Sequence, residues 1–224
     1  MVYMDSARLA PISSHLLSAF RKVSPSTIGH MTDSGFMKGL MPLRAGKLVG
    51  RAVTVRIPHL DSAAVHIAVS HLEPGDVLVV DMNGDIERAS VGGMVAYAAH
   101  ARGAAGIIVD GCITDVDEIA PLNFVVYSKG ISALTTRNLG IEGDINVPVS
   151  IAGAVVMPGD IILGDANGVM TIRSNRRDLM TLAEDALRKE AAEIETKRRL
   201  DDGELLMQVS GAVNFLKRTE VSRD

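Results

Sequence analysis

The sequence predicts an α/β domain, on three observations. Strand-like and helix-like runs alternate between Gly50 and Gly111, short β runs separated by Pro, Gly and Asn turns fill Ile145 to Ile172, and a helical pattern stands at each end. At 224 residues, 47% of them apolar, the chain suits one domain, residues 1–224, with a single sizeable core.

From Asp5 to Val23 apolar residues recur at helical spacing (Leu9, Ile12, Leu16, Leu17, Phe20), which predicts a first helix that "SPST" ends. "GRAVTVRI", Gly50 to Ile57, alternates and reads as a strand. "DSAAVHIAVSHL", Asp61 to Leu72, follows as a helix with Asp61 in capping position. "PGDVLVVD" is a turn and a buried strand, "SVGGMVAYAAHARG" a glycine turn and an Ala-rich helix closed by Gly103, and "AGIIVDG" a second buried strand. Together they form a right-handed, parallel βαβ unit. A short helix over Val116 to Ala120 and a strand at "FVVYS" precede the short β runs, and a charged helix runs from Asn175 through "LMTLAEDALRKEAAEIETKRRL". Asp202-Gly203 separates it from a final helix or extension. "PGDVLVVDMNG" and "PGDIILGDANG" echo each other, and the simpler explanation is a recurring turn–strand–turn solution, because one short match is not a repeat period.

Composition excludes several functions. Net charge is only -4, and basic residues are scattered until the C-terminal helix, so no footprint for direct nucleic-acid binding exists. The single cysteine, Cys112, excludes an internal disulfide framework and a Cys-rich zinc site, and it fits the cytoplasm. No leader pattern is visible, and no apolar run reaches the roughly 18 to 20 residues of a membrane span.

The candidate chemistry lies in "GIIVDGCITDVDEI", where Asp110, Asp115, Asp117 and Glu118 gather at the end of a buried strand. In open α/β sheets ligands collect at such carboxyl ends. Gly92 and Gly93 of "SVGGMV" hold the equivalent place on the preceding unit, allow close backbone approach and leave helix N-terminal amides outward for an anion. Two readings stay open: a hard cation beside an anion pocket, or Asp115 capping the next helix with Asp117 and Glu118 favouring its positive end. With no Cys or His cluster, the cation reading points to Mg2+ or Mn2+. His30, His66, His71 and His100 fit core or surface positions, and no Ser/His/Asp order or elbow motif supports nucleophilic hydrolysis.

"PGDVLVVD", "GGMVAYAAHARGAAGIIVDGCITDVDEI", "INVPVSIAGAVVMPGDIILGDANGV" and the "RKEAAEIE" helix resemble, in order and from about residue 28 to 195, the RraA-like family. That family contains class II 4-hydroxy-4-methyl-2-oxoglutarate aldolases and regulators of RNase E activity, and its members often carry demethylmenaquinone methyltransferase names. The resemblance implies a ββα sandwich of swivelling-domain type with N- and C-terminal helices (the latter 175–224), assembled as a homotrimer or hexamer with sites between subunits. It further implies Asp115 as the metal ligand, the amides of Gly92, Gly93, Met94 and Val95 as the cradle for a 2-oxo acid carboxylate, and a neighbour's carboxylate from Glu190 or Glu193. Two family positions differ, since Thr114 stands where the aldolases have Arg and Gly93 where they have an acidic residue. Loss of a positioned cation typically costs about two to three orders of magnitude in rate. The expected activity is metal-dependent cleavage of a 2-oxo acid that releases pyruvate, including oxaloacetate decarboxylation, with a carboxylate-relayed water as base and His30 second. The alternatives are a non-catalytic regulatory protein and a lyase of shifted substrate in which Thr114 contacts something smaller.

Overall fold

The computed structural model describes residues 1–5, 9–58 and 60–216. Its first half contains β1 (Val2–Met4), α1 (Ser14–Phe20), α2 (Pro25–Gly29), β2 (Phe36–Met37), β3 (Met41–Pro42), β4 (Leu48–Arg56), α3 (Ala63–Ser70), β5 (Asp76–Asp81), β6 (Ala89–Val91) and α4 (Gly93–Ala101). There follow β7 (Gly106–Val109), β8 (Cys112–Ile113), α5 (Val116–Ile119), β9 (Val125–Ser128), β10 (Gly130–Ile131), β11 (Gly143–Ile145), β12 (Val149–Ile151), β13 (Ala154–Val156), β14 (Ile161–Asp165), β15 (Gly168–Ile172), α6 (Leu179–Asp201) and α7 (Leu206–Val209).

The sheet is built around β4. On one edge β4 runs parallel to β5, with Arg51 opposite Asp76, and β7 and β9 continue that parallel set. Its other edge is antiparallel to β14, with Ile161 opposite Arg51, and to β11, with Ile145 opposite Val55. The full order is β2-β15-β14-β4-β5-β7-β9-β3, with β11 and then β1 added beside β4.

Side-chain alternation then sets the layers. Val53, Val55 and Ile57 of β4 join Leu78, Val80, Ile107 and Val109 in a core beneath α3 and α4. Val49, on the same face, joins Ile161 and Leu163 beneath α1, α2 and α6. The opposite residues, Leu48 and Ala52 with Val77, Val79 and Ile108, face the antiparallel hairpin of β12 and β13. Helices, large sheet and second β layer make the ββα sandwich that the family resemblance implies. No helix among the described residues is long and apolar enough to cross a membrane.

Three local expectations need correction. The helix expected over Asp5 to Val23 is confined to Ser14–Phe20, and Val2–Met4 is instead a strand parallel to β11, continued by Asp5 N–H donating to Ile145 O at 3.0 Å. Pro11 accounts for the shortening, since it carries no N–H and disfavours helical backbone in the residue before it. "SPST" does more than end a helix: Ser24 caps α2 by accepting from Thr27 N–H at 3.2 Å, and Pro25 fills its first turn. Asp61 is not the cap residue of α3, which is Ser62.

The two echoed motifs adopt one conformation. Gly75 and Gly159 have φ +87° and +85°, and the following Asp76 and Asp160 accept from the amides of Glu73 and Met157 at 2.8 and 2.9 Å. At the far ends Asp81 and Asp165 accept from Asn83 and Asn167 N–H, both at 2.8 Å. Because these strands flank β4 on opposite edges with opposite directions, the shared feature is the local turn–strand–turn geometry.

Asp61 fastens a loop. Its buried carboxylate accepts from Ala63 N–H at 3.0 Å and from Leu139, Gly140, Ile141 and Glu142 N–H at 3.1, 3.3, 2.5 and 3.3 Å. Burial alone pushes this carboxyl up, but the amides of Ala63, Leu139, Ile141 and Glu142 outweigh it and hold it down to about 2. A folded-state value below the unfolded one means that the stabilisation is fully present above about pH 4 and is lost as pH falls through about 2. Its size is about 2 kcal/mol. Asp61→Asn is therefore expected to flatten the acid limb of stability between pH 4 and 2 and to lower stability at pH 7, as urea denaturation across that range will show.

Candidate functional site

The site is assembled by strands too short to announce themselves. β6, β8 and β10 form a small parallel sheet in which Ala89 lies opposite Cys112 and Val91 opposite Ile113. The carboxyl ends of β6 and β8 therefore emerge side by side, and Thr114 N–H donates to Val91 O at 3.0 Å to hold them there. From these ends the chain enters α4 through Gly92 and α5 through Asp115.

Asp115 has φ +54°, ψ +41°, left-handed backbone that Asp tolerates better than most residues. It occupies the N-cap position of α5 yet makes no capping bond with its side chain. Instead Oδ2 accepts from Gly93 N–H of α4 at 3.0 Å, and Oδ1 accepts from Thr114 Oγ1 at 3.3 Å. The capping alternative is thereby excluded for this carboxylate, which serves the neighbouring helix.

Glu118 makes the same crossing. Its backbone N–H donates to Asp115 O at 2.9 Å, but its side chain leans over the glycine turn. A Cβ at Gly93 would lie 2.0 Å from Glu118 Oε2, and one at Gly92 would lie 2.4 Å from Asp115 Oδ2 and 3.0 Å from Thr114 Cγ2. Neither glycine has positive φ, so what the pair permits is close approach of two carboxylates. The attraction is electrostatic, because the first turn of α4 exposes N–H groups, including those of Met94 and Val95, that no preceding carbonyl of the helix can satisfy.

The remaining candidates lie elsewhere. Asp110 is tied by Lys129 Nζ at 2.6 Å and by Ala152 N–H at 2.9 Å. Asp117 is exposed. Glu190, Glu193 and His30 line a cleft between α2 and α6, where Glu190 Oε1 accepts from Ser24 N–H at 2.7 Å and Thr27 Oγ1 at 2.9 Å. Cys112 is buried and donates to Ile86 O at 3.1 Å, and burial pushes its thiol up, which removes it as a nucleophile.

Among the described residues no group of three His, Cys, Asp or Glu side chains could enclose a metal ion. A cation with a mainly aqueous shell and one carboxylate ligand fits that donor set, and Asp115 at the Gly92–Gly93 cradle is the position that offers it. No lysine or arginine among the described residues forms an ion pair with Asp115 or Glu118.

The cradle geometry separates the two glycines. Asp115 is short and fixed by its backbone, whereas Glu118 can swing into solvent. Gly92→Ala is expected to destabilise the fold by about 1–3 kcal/mol, an overpacking cost, and Gly93→Ala by less. Urea denaturation of the two variants measures the difference, and equal effects would contradict this packing.

Known proteins resemble this chain in sequence and in fold. The RraA-like family model, described as Aldolase/RraA, matches residues 23–171. A protein of Halalkalibacterium halodurans named "Putative 4-hydroxy-4-methyl-2-oxoglutarate aldolase" is 34% identical over 189 residues, 83% of this chain and 89% of its own. One of the same name from Ectopseudomonas mendocina is 40% identical over 121 residues, 54% of this chain and 74% of its own. The crystal structure of Streptomyces coelicolor RraAS2, described as an unusual member of the RNase ES inhibitor RraA protein family, shares the fold. Its TM-score is 0.76 at 23% identity, over 85% of this chain and 99% of that one. With more than half of its length matched by the family model and a relative 34% identical over most of both chains, this chain belongs to the RraA-like family.

Proposed function

We propose that the protein is a divalent-cation-dependent lyase of small 2-oxo acids that releases pyruvate, with 4-hydroxy-4-methyl-2-oxoglutarate and oxaloacetate as its candidate substrates. The observation that carries this reading is the Asp115 carboxylate, turned off its own helix onto the Gly92–Gly93 cradle. The aldolase names of relatives at 34% and 40% identity agree with it.

Asp115 would hold Mg2+ or Mn2+, and the bound cation supplies a Lewis acid that drains charge from the 2-oxo group. The free amides at the start of α4 orient the substrate carboxylate. Thr114 can turn its hydroxyl from Asp115 Oδ1 to the developing oxyanion, without the positive charge that an arginine would bring. Decarboxylation of oxaloacetate needs no base, whereas cleavage of a 4-hydroxy-2-oxo acid must first remove a hydroxyl proton. Oxaloacetate is accordingly the substrate that asks less of the site's acid–base groups.

A second reading, a non-catalytic regulatory protein, is favoured by one observation: among the described residues no arginine or lysine pairs with the site carboxylates. Pyruvate release coupled to lactate dehydrogenase decides between them. Release is expected with Mg2+, abolished by chelator and by Asp115→Ala, and raised about tenfold or more by Thr114→Arg. No release above the cation-only blank from either substrate, in wild type and in Thr114→Arg, overturns the lyase reading in favour of the regulatory one.

We further propose a homotrimer or hexamer in which a neighbour completes the site. Within one chain Glu190 is committed to Ser24 and Thr27, so Glu193, exposed on the next turn of α6, is the carboxylate available to another subunit. Light scattering at micromolar concentration is expected to show three or six copies, and a monomer would remove any such role for Glu193.

A further inference from the structure

We propose that Glu118 is the general base of the site, an assignment that rests on the lyase reading above. The spacing Asp115-x-x-Glu118 is that of a helix capping box, in which the two side chains satisfy backbone donors of their own helix. Neither does so here, because Asp115 makes no capping bond and the Glu118 carboxylate accepts from no donor among the described residues. Stabilisation of α5 therefore does not explain where Glu118 lies.

Its location is specific. The carboxylate fills the volume that a side chain on Gly93 would occupy, 2.0 Å from the ideal Cβ position, beside the amide that holds Asp115. Asp115 is the carboxylate assigned to the cation, Asp110 is tied to Lys129 and Ala152, and Glu190 to Ser24 and Thr27. His30 lines a different cleft, and Asp117, adjacent in sequence to Glu118 on α5, does not share its helix face. Glu118 is the acid at the cradle that is exposed and unpaired, free to take a proton and to return it.

The step balances without any further reactant. A Glu118 oxygen takes the C4 hydroxyl proton of the 4-hydroxy-2-oxo acid, and the O–H pair becomes the second bond of the departing carbonyl. The C3–C4 pair moves to C3 and delocalises into the 2-oxo group. C3 then recovers the proton from the Glu118 carboxyl, giving pyruvate. Run backwards, the last step exchanges the methyl protons of pyruvate with solvent.

That exchange gives the test. The full chain with Mg2+ and pyruvate in D2O is expected to lose the pyruvate methyl signal in proton NMR, and Glu118→Gln is expected to slow this at least about a hundredfold. Mn2+ affinity of the same variant in titration calorimetry stays within about threefold of wild type, because the base is not the cation ligand. Returning a carboxylate from the other side of the shared space, by Gly93→Glu in a Glu118→Ala background, restores exchange to within about tenfold. Wild-type exchange in a folded Glu118→Gln overturns the assignment, and so does a parallel loss of Mn2+ affinity, which would make Glu118 a ligand or a scaffold residue. Absence of cation-dependent exchange in the unmodified chain strikes instead at the lyase reading, and removes this assignment with it.

Discussion

Strand β4 is the constraint on which the rest depends, because it is paired along both edges and covered on both faces. A strand in that position can present no unpaired backbone to water and no polar face, and eight of its nine residues are buried or half-buried. Its alternation allocates the layers, with Val49, Val53 and Val55 assigned to helices and Leu48 and Ala52 to the β12–β13 hairpin. The parallel set that β4 begins carries β7, whose end leads directly to β8 and the candidate site. Core order and site geometry are thus linked through adjacent strands, and the Asp61 clamp secures the loop that returns to β11 on the other side.

At the site a single backbone angle decides which chemistry is available. A left-handed non-glycine residue costs on the order of 1 kcal/mol, and such conformations gather where function requires them. With φ +54°, Asp115 directs its carboxylate away from α5 and across to Gly93 N–H, and Glu118, one turn later, follows onto the same glycine turn. The result is two carboxylates at the positive end of a nine-residue helix, an arrangement that the helix N-terminus stabilises.

Much of this fold was legible because long elements carry strong periodicity. β4, β5, β7, α4 and α6 stand where alternation, buried runs and helical spacing put them. β6, β8 and β10 were not, since two or three residues cannot establish a period and their partners are distant in sequence. In α1, helical spacing from Leu9 onward suggested a longer element than Pro11 allows. Of the candidate site, Asp115 and the glycine pair were readable, the glycines for close approach. The spacing of Glu118 fits support of α5 as well as a site carboxylate, and what separates the two is tertiary: Asp115 turns to Gly93 N–H and the Glu118 carboxylate lies over Gly93. Asp61 shows the same limit, since capping spacing discloses the bond to Ala63 but not the loop amides of residues 139–142, nearly eighty positions away.

The substitution at Thr114 changes the charge balance that the site offers a substrate. A guanidinium there would offset the Asp115 and Glu118 charges and add bidentate donors for a carboxylate. Thr114 gives a single neutral hydroxyl, already shared with Asp115 Oδ1 at 3.3 Å. The positive potential left on this chain is then the first turn of α4, which can orient one carboxylate through Met94 and Val95 amides and has little to offer a second. On the single chain, charge count therefore matters more than length: one carboxylate can be met by the α4 amides, and a second nearby would face the Asp115 and Glu118 charges.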